Sequence, residues 1–172
     1  DKAARFLQLC DAHGLPVVSL CDTPGIMVGP DAERTATVRH FSRMFVVGAN
    51  LRVPLVTIVL RKGYGLGAQA MAGGGFKAPL ATVAWPTGEI GGMGLEGAVR
   101  LGYRKELAEA EDPQALFETM VAAAYEHGRA LHAATVFELD DVIDPADTRR
   151  WIATALASAP PPGERRRWVD TW

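Results

Sequence analysis

Residues 53–60 read Val-Pro-Leu-Val-Thr-Ile-Val-Leu, with Thr57 the only polar side chain in the run. The run is far shorter than the roughly 18 residues of a membrane span. It also lacks the alternation of a strand with one wet face. It suits a buried strand covered on both sides, the setting of parallel sheets in α/β proteins. The segment after it is equally restrictive. Lys62-Gly63-Tyr64-Gly65-Leu66-Gly67-Ala68 is glycine-rich and leads into a small-residue helix predicted over 69–73.

Two further β-rich runs, 16–21 and 80–85, end in the turn signals Asp22-Thr23-Pro24-Gly25 and Pro86-Thr87-Gly88-Glu89. Around them apolar residues recur at helical spacing. Ala3, Phe6, Leu7, Leu9 and Cys10 predict a helix over 2–13, stopped by Gly14 in a left-handed cap. Val38, Phe41, Met44 and Phe45 predict one helix over 33–49, with Arg39 and Arg43 on another face. Gly91-Gly92-Met93-Gly94 opens a helix carrying Ala98, Val99 and Leu101. An alanine-rich helical stretch covers 105–134, broken near Asp112-Pro113, where Asp112 reads as an N-cap and Pro113 as the first helical residue. A short apolar segment follows over 136–143, and Asp144-Pro145-Ala146-Asp147-Thr148 starts a last helix over 149–158. Apolar strands alternating with helices imply an α/β fold, with helices packed on a sheet. A chain of 172 residues is sized for one domain. Residues 159–172, beginning in a proline run, are expected to form a flexible tail.

Composition removes several classes of function. Eighteen Lys and Arg against 20 Asp and Glu leave a charge of −2, without the basic surplus of a nucleic-acid binder. The one basic run, Glu164-Arg165-Arg166-Arg167, is terminal and reads as solvated. Cys10 and Cys21 make no disulfide framework and read as reduced, buried thiols of a cytoplasmic protein. His13, His40, His127 and His132 are scattered and no CxxC occurs, so no metal is expected. There is no signal peptide and no membrane span, so no membrane partner is expected. The chain begins at Asp1, without Met and directly inside a helical pattern; a piece of a longer protein, or one half of a protein made as two chains, is expected.

Three segments are candidates for chemistry. A strand feeding Gly63-Tyr64-Gly65-Leu66-Gly67 and then a helix offers backbone amides without intrahelical partners at a positive dipole end, an oxyanion or anion site. Close packing of the helix on the sheet accounts for the same small residues. The segment is not a phosphate P-loop, because no Gly-Lys-Ser/Thr follows. The dinucleotide pattern fails too: positions 68 and 70 are alanine and the next strand ends in Trp85-Pro86 rather than an acid. Asp22-Thr23-Pro24-Gly25 lies at a strand end, where α/β sites gather; Asp22 reads there as a local turn acceptor. The third segment, Trp85-Pro86-Thr87-Gly88-Glu89-Ile90-Gly91-Gly92-Met93-Gly94, is a glycine-rich strand–helix junction that suggests close packing or a ligand wall. Glu89 within it reads as a helix-capping carboxylate, with a buried base as the alternative. Ser19 and Ser42 lack a nucleophile-elbow setting. His40 is the histidine nearest the glycine loops in sequence.

Taken in order, the motifs are far more specific. Cys21-Asp22-Thr23-Pro24-Gly25, Arg61-Lys62-Gly63-Tyr64-Gly65, Ala84-Trp85-Pro86-Thr87-Gly88-Glu89-Ile90 and Met93-Gly94-Leu95-Glu96-Gly97-Ala98 resemble the carboxyltransferase component of biotin-dependent acyl-CoA carboxylases. That family carries D-x-P-G, R-K-x-Y-G-G/A and W-P-x-x-x-I-x-x-M-G at similar separations. Asp140-Asp141-Val142-Ile143-Asp144-Pro145 with Thr148-Arg149 resembles its closing D-x-I-x-P-x-x-T-R signature.

The resemblance implies a crotonase-like fold of ββα units in a superhelix with flanking helices, this chain being the C-terminal of two such domains. It implies transfer of the carboxyl group from carboxybiotin to the α-carbon of an acyl-CoA, with biotin N1 taking the α-proton and no side-chain base. The oxyanions would be held by backbone amides. The matching peptide is Leu66-Gly67, with Gly25, Tyr64, Gly65 and Met93 around it. Leu66 departs from the Gly-Ala or Ala-Gly usual there. Gln69 stands at a position tied to acyl-chain selectivity and differs from the Asp of propionyl-type enzymes. Implied partners are the N-terminal carboxyltransferase domain, the biotin carboxyl carrier, biotin carboxylase, the acyl-CoA and further copies of the same chain. A stand-alone crotonase-fold enzyme, a decarboxylase and a non-catalytic assembly domain are the competing readings.

Overall fold

The computed structural model describes residues 1–161 and 169. The basic run at 164–167 and most of the tail expected over 159–172 lie outside the described residues. Five parallel strands form one sheet: β1 (Val17–Thr23), β2 (Leu55–Tyr64), β3 (Ala81–Ala84), β4 (Glu89–Gly91) and β5 (Asp141–Val142). Their order is β1-β2-β3-β5, with β4 joined to β2. β2 is the axis. Its first half pairs with β3 in the register Val56 to Ala81, and its last three residues pair with β4, Lys62 opposite Glu89 and Tyr64 opposite Gly91.

β2 is apolar because both of its faces are covered. Val59 meets Cys21, Ala68, Ala84 and Ala130 on one side. Ile58 meets Val83, Ile143, Trp151 and Ile152 on the other. Each fully buried aliphatic side chain of this kind contributes roughly 1.5–3 kcal/mol. The first face is covered by α4 (Gly65–Met71) and α8 (Ala130–Thr135), the second by α9 (Thr148–Ser158), which a 3₁₀ turn, Pro145–Asp147, precedes. α1 (Lys2–His13) and α3 (Thr37–Ala49) close the start of β1 and β2 through Leu7, Cys10, Val17, Val47 and Leu55. Gly14 ends α1 at φ 73°, as expected. The remaining helices are α2 (Pro30–Arg34), α5 (Leu95–Gly102), α6 (Arg104–Glu109) and α7 (Pro113–His127). Asp112 caps α7 by accepting from the amides of Gln114 and Ala115, at 3.1 and 3.0 Å.

Three expectations change. The helix predicted over 33–49 is two helices, because Ala36 adopts a left-handed φ of 56°. Thr35 supports the break, its hydroxyl donating to the carbonyl of Ala32 at 2.9 Å. The helix predicted over 69–73 begins four residues earlier, at Gly65, and β2 runs on to Tyr64, so the glycine segment has almost no loop. Glu89-Ile90-Gly91 is a strand rather than the lead-in to a helix.

Candidate active site

β1, β2 and β4 run parallel, so Thr23, Tyr64 and Gly91 reach the same end of the sheet. Ligand sites of open α/β sheets gather at that end. β1 and β2 slip there: Cys21 faces Val59, yet Thr23 faces Gly63. Asp22 fills the gap. Its carboxylate accepts from the Lys62 amide at 3.1 Å and pairs with Arg61 at 3.2 Å. The Lys62 amide first, and then Arg61, hold the Asp22 carboxyl below its usual range. Asp22 is thus a clamp between strands, not the local turn acceptor expected. The adjoining turn is held by Thr23, whose hydroxyl accepts from the Gly25 amide at 3.3 Å.

α4 starts against this turn. A Cβ on Gly67 would lie 2.9 Å from the carbonyl carbon of Gly25 and 3.0 Å from its Cα. Gly65 has a φ of 56°, and a Cβ there would lie 2.7 Å from the Gly92 carbonyl oxygen. Both positions therefore exclude side chains. The amides of Gly65, Leu66 and Gly67 open the helix and have no acceptor within it. Tyr64 is buried, and its hydroxyl donates to Glu89 Oε2 at 2.5 Å. Burial first, then this bond, push the Tyr64 phenol well above its ordinary value. Glu89 is thereby a partner of Tyr64 and not the helix cap expected. Burial, with Asp22 next to it, likewise pushes the Cys21 thiol up to about 11.

Two clefts meet at the first turn of α4. One, of about 680 Å³, is lined by Gly25, Met27, Val28, Phe41, Leu66 and Met93 among others, and among the described residues Glu33 is the only ionisable side chain on its wall. The other, of about 310 Å³, is lined by Gly65, Leu66, Gln69, Phe76, Ile90 and Glu138 among others. Gly65, Leu66 and Gly92 belong to both. Leu66 is 52% exposed and stands between them.

All seven residues singled out from sequence, Gly25, Tyr64, Gly65, Leu66, Gly67, Gln69 and Met93, come together at this junction. Phe41, Phe76 and Glu138 were not singled out, and they arrive from distant segments with no local signal. Gly92, which lines both clefts, belongs to the glycine-rich segment 85–94 read from sequence as close packing or a ligand wall. His40 lies elsewhere, its Nδ1 2.8 Å from Asp1 Oδ2. Among the described residues no group of three or more His, Cys, Asp or Glu is placed to hold a metal ion, and no helix is long and apolar enough to cross a membrane.

Residues 1–164 match the family model of the carboxyl transferase domain. The chain belongs to the carboxyl transferase family. It is 42% identical to the methylmalonyl-CoA carboxyltransferase 12S subunit of Propionibacterium freudenreichii subsp. shermanii, over 91% of this chain and 30% of that protein. A solved single-chain, multi-domain long-chain acyl-CoA carboxylase is 69% identical with a TM-score of 0.80, over 90% of this chain and 15% of that one. A crystal structure of the transcarboxylase 12S hexamer with methylmalonyl-CoA bound superposes with a TM-score of 0.85 at 37% identity, over 99% of this chain and 33% of that one. The chain thus spans about a third or less of the relatives it matches.

Proposed function

We propose that this chain is the C-terminal, crotonase-like domain of a carboxyltransferase, supplying the biotin side of its active site. The enzyme moves the carboxyl group of carboxybiotin, presented by a carrier protein, to the α-carbon of an acyl-CoA. The carrying observation is the first turn of α4, pressed on Gly25 at the junction of two clefts with its amides free of helix partners. In that reading the Leu66 and Gly67 amides hold the ureido oxygen of biotin. Fixed amides facing a developing oxyanion suit a reaction that needs no side-chain base, and one such donor is worth roughly 3–4 kcal/mol. The junction fits the group: Gly92, which lines both clefts and has open space where a Cβ would stand, leaves a flat ureido ring room to approach beside Leu66.

The substrate is a CoA thioester of long acyl chain. The 69% identity to a long-chain acyl-CoA carboxylase supports this, as do the apolar 680 Å³ cleft and the replacement of a propionyl-type Asp by Gln69. An N-terminal carboxyltransferase domain, a biotin carboxyl carrier, biotin carboxylase and further copies of the chain complete the assembly. The exposed apolar face of β1, Val18 and Leu20, together with Met27 and Val28, supports burial against such partners.

The reverse reaction tests this. A carboxylated acyl-CoA is incubated with biocytin and this chain, with and without the N-terminal domain, and loss of the carboxyl group is followed. The expected result is biocytin-dependent turnover only when both domains are present. Turnover by this chain alone, indifferent to biocytin, overturns the reading in favour of a self-sufficient decarboxylase.

A further inference from the structure

We propose that Glu89 is a positioning residue that fixes the first turn of α4 through the hydroxyl of Tyr64. The proposal rests on the carboxyl-transfer reading above. Tyr64 is both the last residue of β2 and the N-cap of α4, with extended backbone at φ −105° and ψ 132°. An N-cap residue ordinarily uses a short polar side chain to hold the helix amides. Tyrosine has no such reach, and Tyr64 makes no side-chain cap bond. Its side chain is instead buried to 2% exposure, with its hydroxyl on Glu89 Oε2.

Glu89 is itself held. It opens β4, and its backbone is in register with Lys62 of β2, two residues before Tyr64. The chain from Glu89 to Gly92 then grips the helix start at three points. Glu89 takes the Tyr64 hydroxyl. Gly91 passes close enough to the ring that a Cβ there would lie 3.4 Å from Tyr64 Cδ1. Gly92 sets its carbonyl oxygen where any Cβ on Gly65 would be. Gly25 closes the other side against Gly67. The amides of Leu66 and Gly67 are thus aimed by contacts on both flanks. On the β4 flank the Tyr64–Glu89 bond is the one made by side chains.

Glu89 does not line either cleft. Its carboxylate is tied instead to the Tyr64 hydroxyl. A carboxylate so placed acts on the reaction only by holding the backbone that does.

The test uses the full-length carboxyltransferase bearing this domain, assayed for biocytin-dependent transfer. Tyr64→Phe and Glu89→Ala are each expected to lower kcat at least tenfold with KM for the acyl-CoA within twofold of wild type. Glu89→Gln keeps an amide oxygen to accept the Tyr64 proton and is expected to stay within threefold. The double variant Tyr64→Phe/Glu89→Ala is expected to be no worse than either single one, since both cut the same bond. A wild-type kcat in Tyr64→Phe overturns the proposal. So does Glu89→Gln as damaged as Glu89→Ala, because the charge and not the anchor would then matter. If Glu89→Ala fails to fold, Tyr64→Phe and Glu89→Gln decide alone. Absence of biocytin-dependent turnover in the wild type is a different failure, that of the carboxyl-transfer reading itself.

Discussion

α4 is pinned at both ends by the same device. At its start Gly67 abuts the backbone of Gly25; just past its end Gly73 abuts the backbone of Gly48 on α3, where a Cβ on Gly48 would lie 2.8 Å from three Gly73 atoms. Both contacts border cavities, the second one of about 600 Å³. Closeness and hollowness therefore do not distinguish them. The free backbone groups do. Beyond the end of α4 the carbonyls of Ala68, Gln69 and Ala70 accept from Ala72, Gly74 and Gly73. At its start the first amides have no acceptor in the helix. One contact is spent on packing alone; the other holds a helix start whose residues Gly65 and Leu66 line both clefts. On the proposed function, a glycine pair serves a site where it meets the amide end of a helix.

Removing a backbone donor at Gly67 separates the two ends of α4 most strongly. Gly67→Pro deletes one amide and is expected to lower transfer roughly a hundredfold or more. Gly67→Ala keeps the amide and adds a methyl 2.9 Å from the Gly25 carbonyl carbon. Its cost falls mainly on packing, about 1–3 kcal/mol of stability. The measurement is biocytin-dependent kcat in both variants. Equal losses would show that crowding at Gly25, and not the amide, controls the reaction.

Gly48→Ala is the matching change at the other end. It brings a Cβ to 2.8 Å from backbone that has no flexible side chain to give way. Overpacking of this kind lowers the Tm by roughly 3–10 °C for a domain of this size. Because only packing is at stake there, kcat per folded molecule is expected to be unchanged. A loss of kcat comparable to that of Gly67→Pro would mean that α4 transmits strain along its length and that the two contacts are one machine.

How far the sequence discloses this arrangement depends on whether the cause is local. β2 is legible because burial on both faces writes a continuous apolar run. The Gly14 and Asp112 caps are legible because capping is chemistry within a few residues. The break at Ala36 is not, since alanine itself carries no signal for a left-handed φ and the Thr35 hydroxyl bond that supports it is visible only in the fold. β4 is three residues long and exists because β2 outruns β3, a fact about partners. The site divides in the same way. The glycine segment, the Gly25 turn and Met93 stand out along the chain, whereas Phe41, Phe76 and Glu138 enter the clefts through the fold alone. Glu89 was visible as an acid, but its partner 25 residues away was not.

The smallest effect expected is a pH dependence that also separates the two ends. Burial and then the bond to Glu89 raise the Tyr64 pKa above the ordinary 10.0. The bond to Glu96 raises that of the more exposed Tyr125 to about 12. A phenol that holds its proton more tightly when folded stabilises the fold fully below pH 10, and that stability is lost as pH rises through the folded value. For Tyr125 the window is 10 to about 12; for Tyr64 it extends higher. The raised thiol of Cys21 acts in the same direction between 9.0 and about 11. Thermal melts across this alkaline range give the check. The Tm difference between wild type and Tyr64→Phe is expected to shrink as pH rises, because the variant has no Tyr64 proton to lose. The difference between wild type and Gly48→Ala is expected to stay constant, since that contact involves only backbone. If both differences move together with pH, the Tyr64–Glu89 pair is not what holds the site end, and the stability of α4 belongs to the packing at its other end.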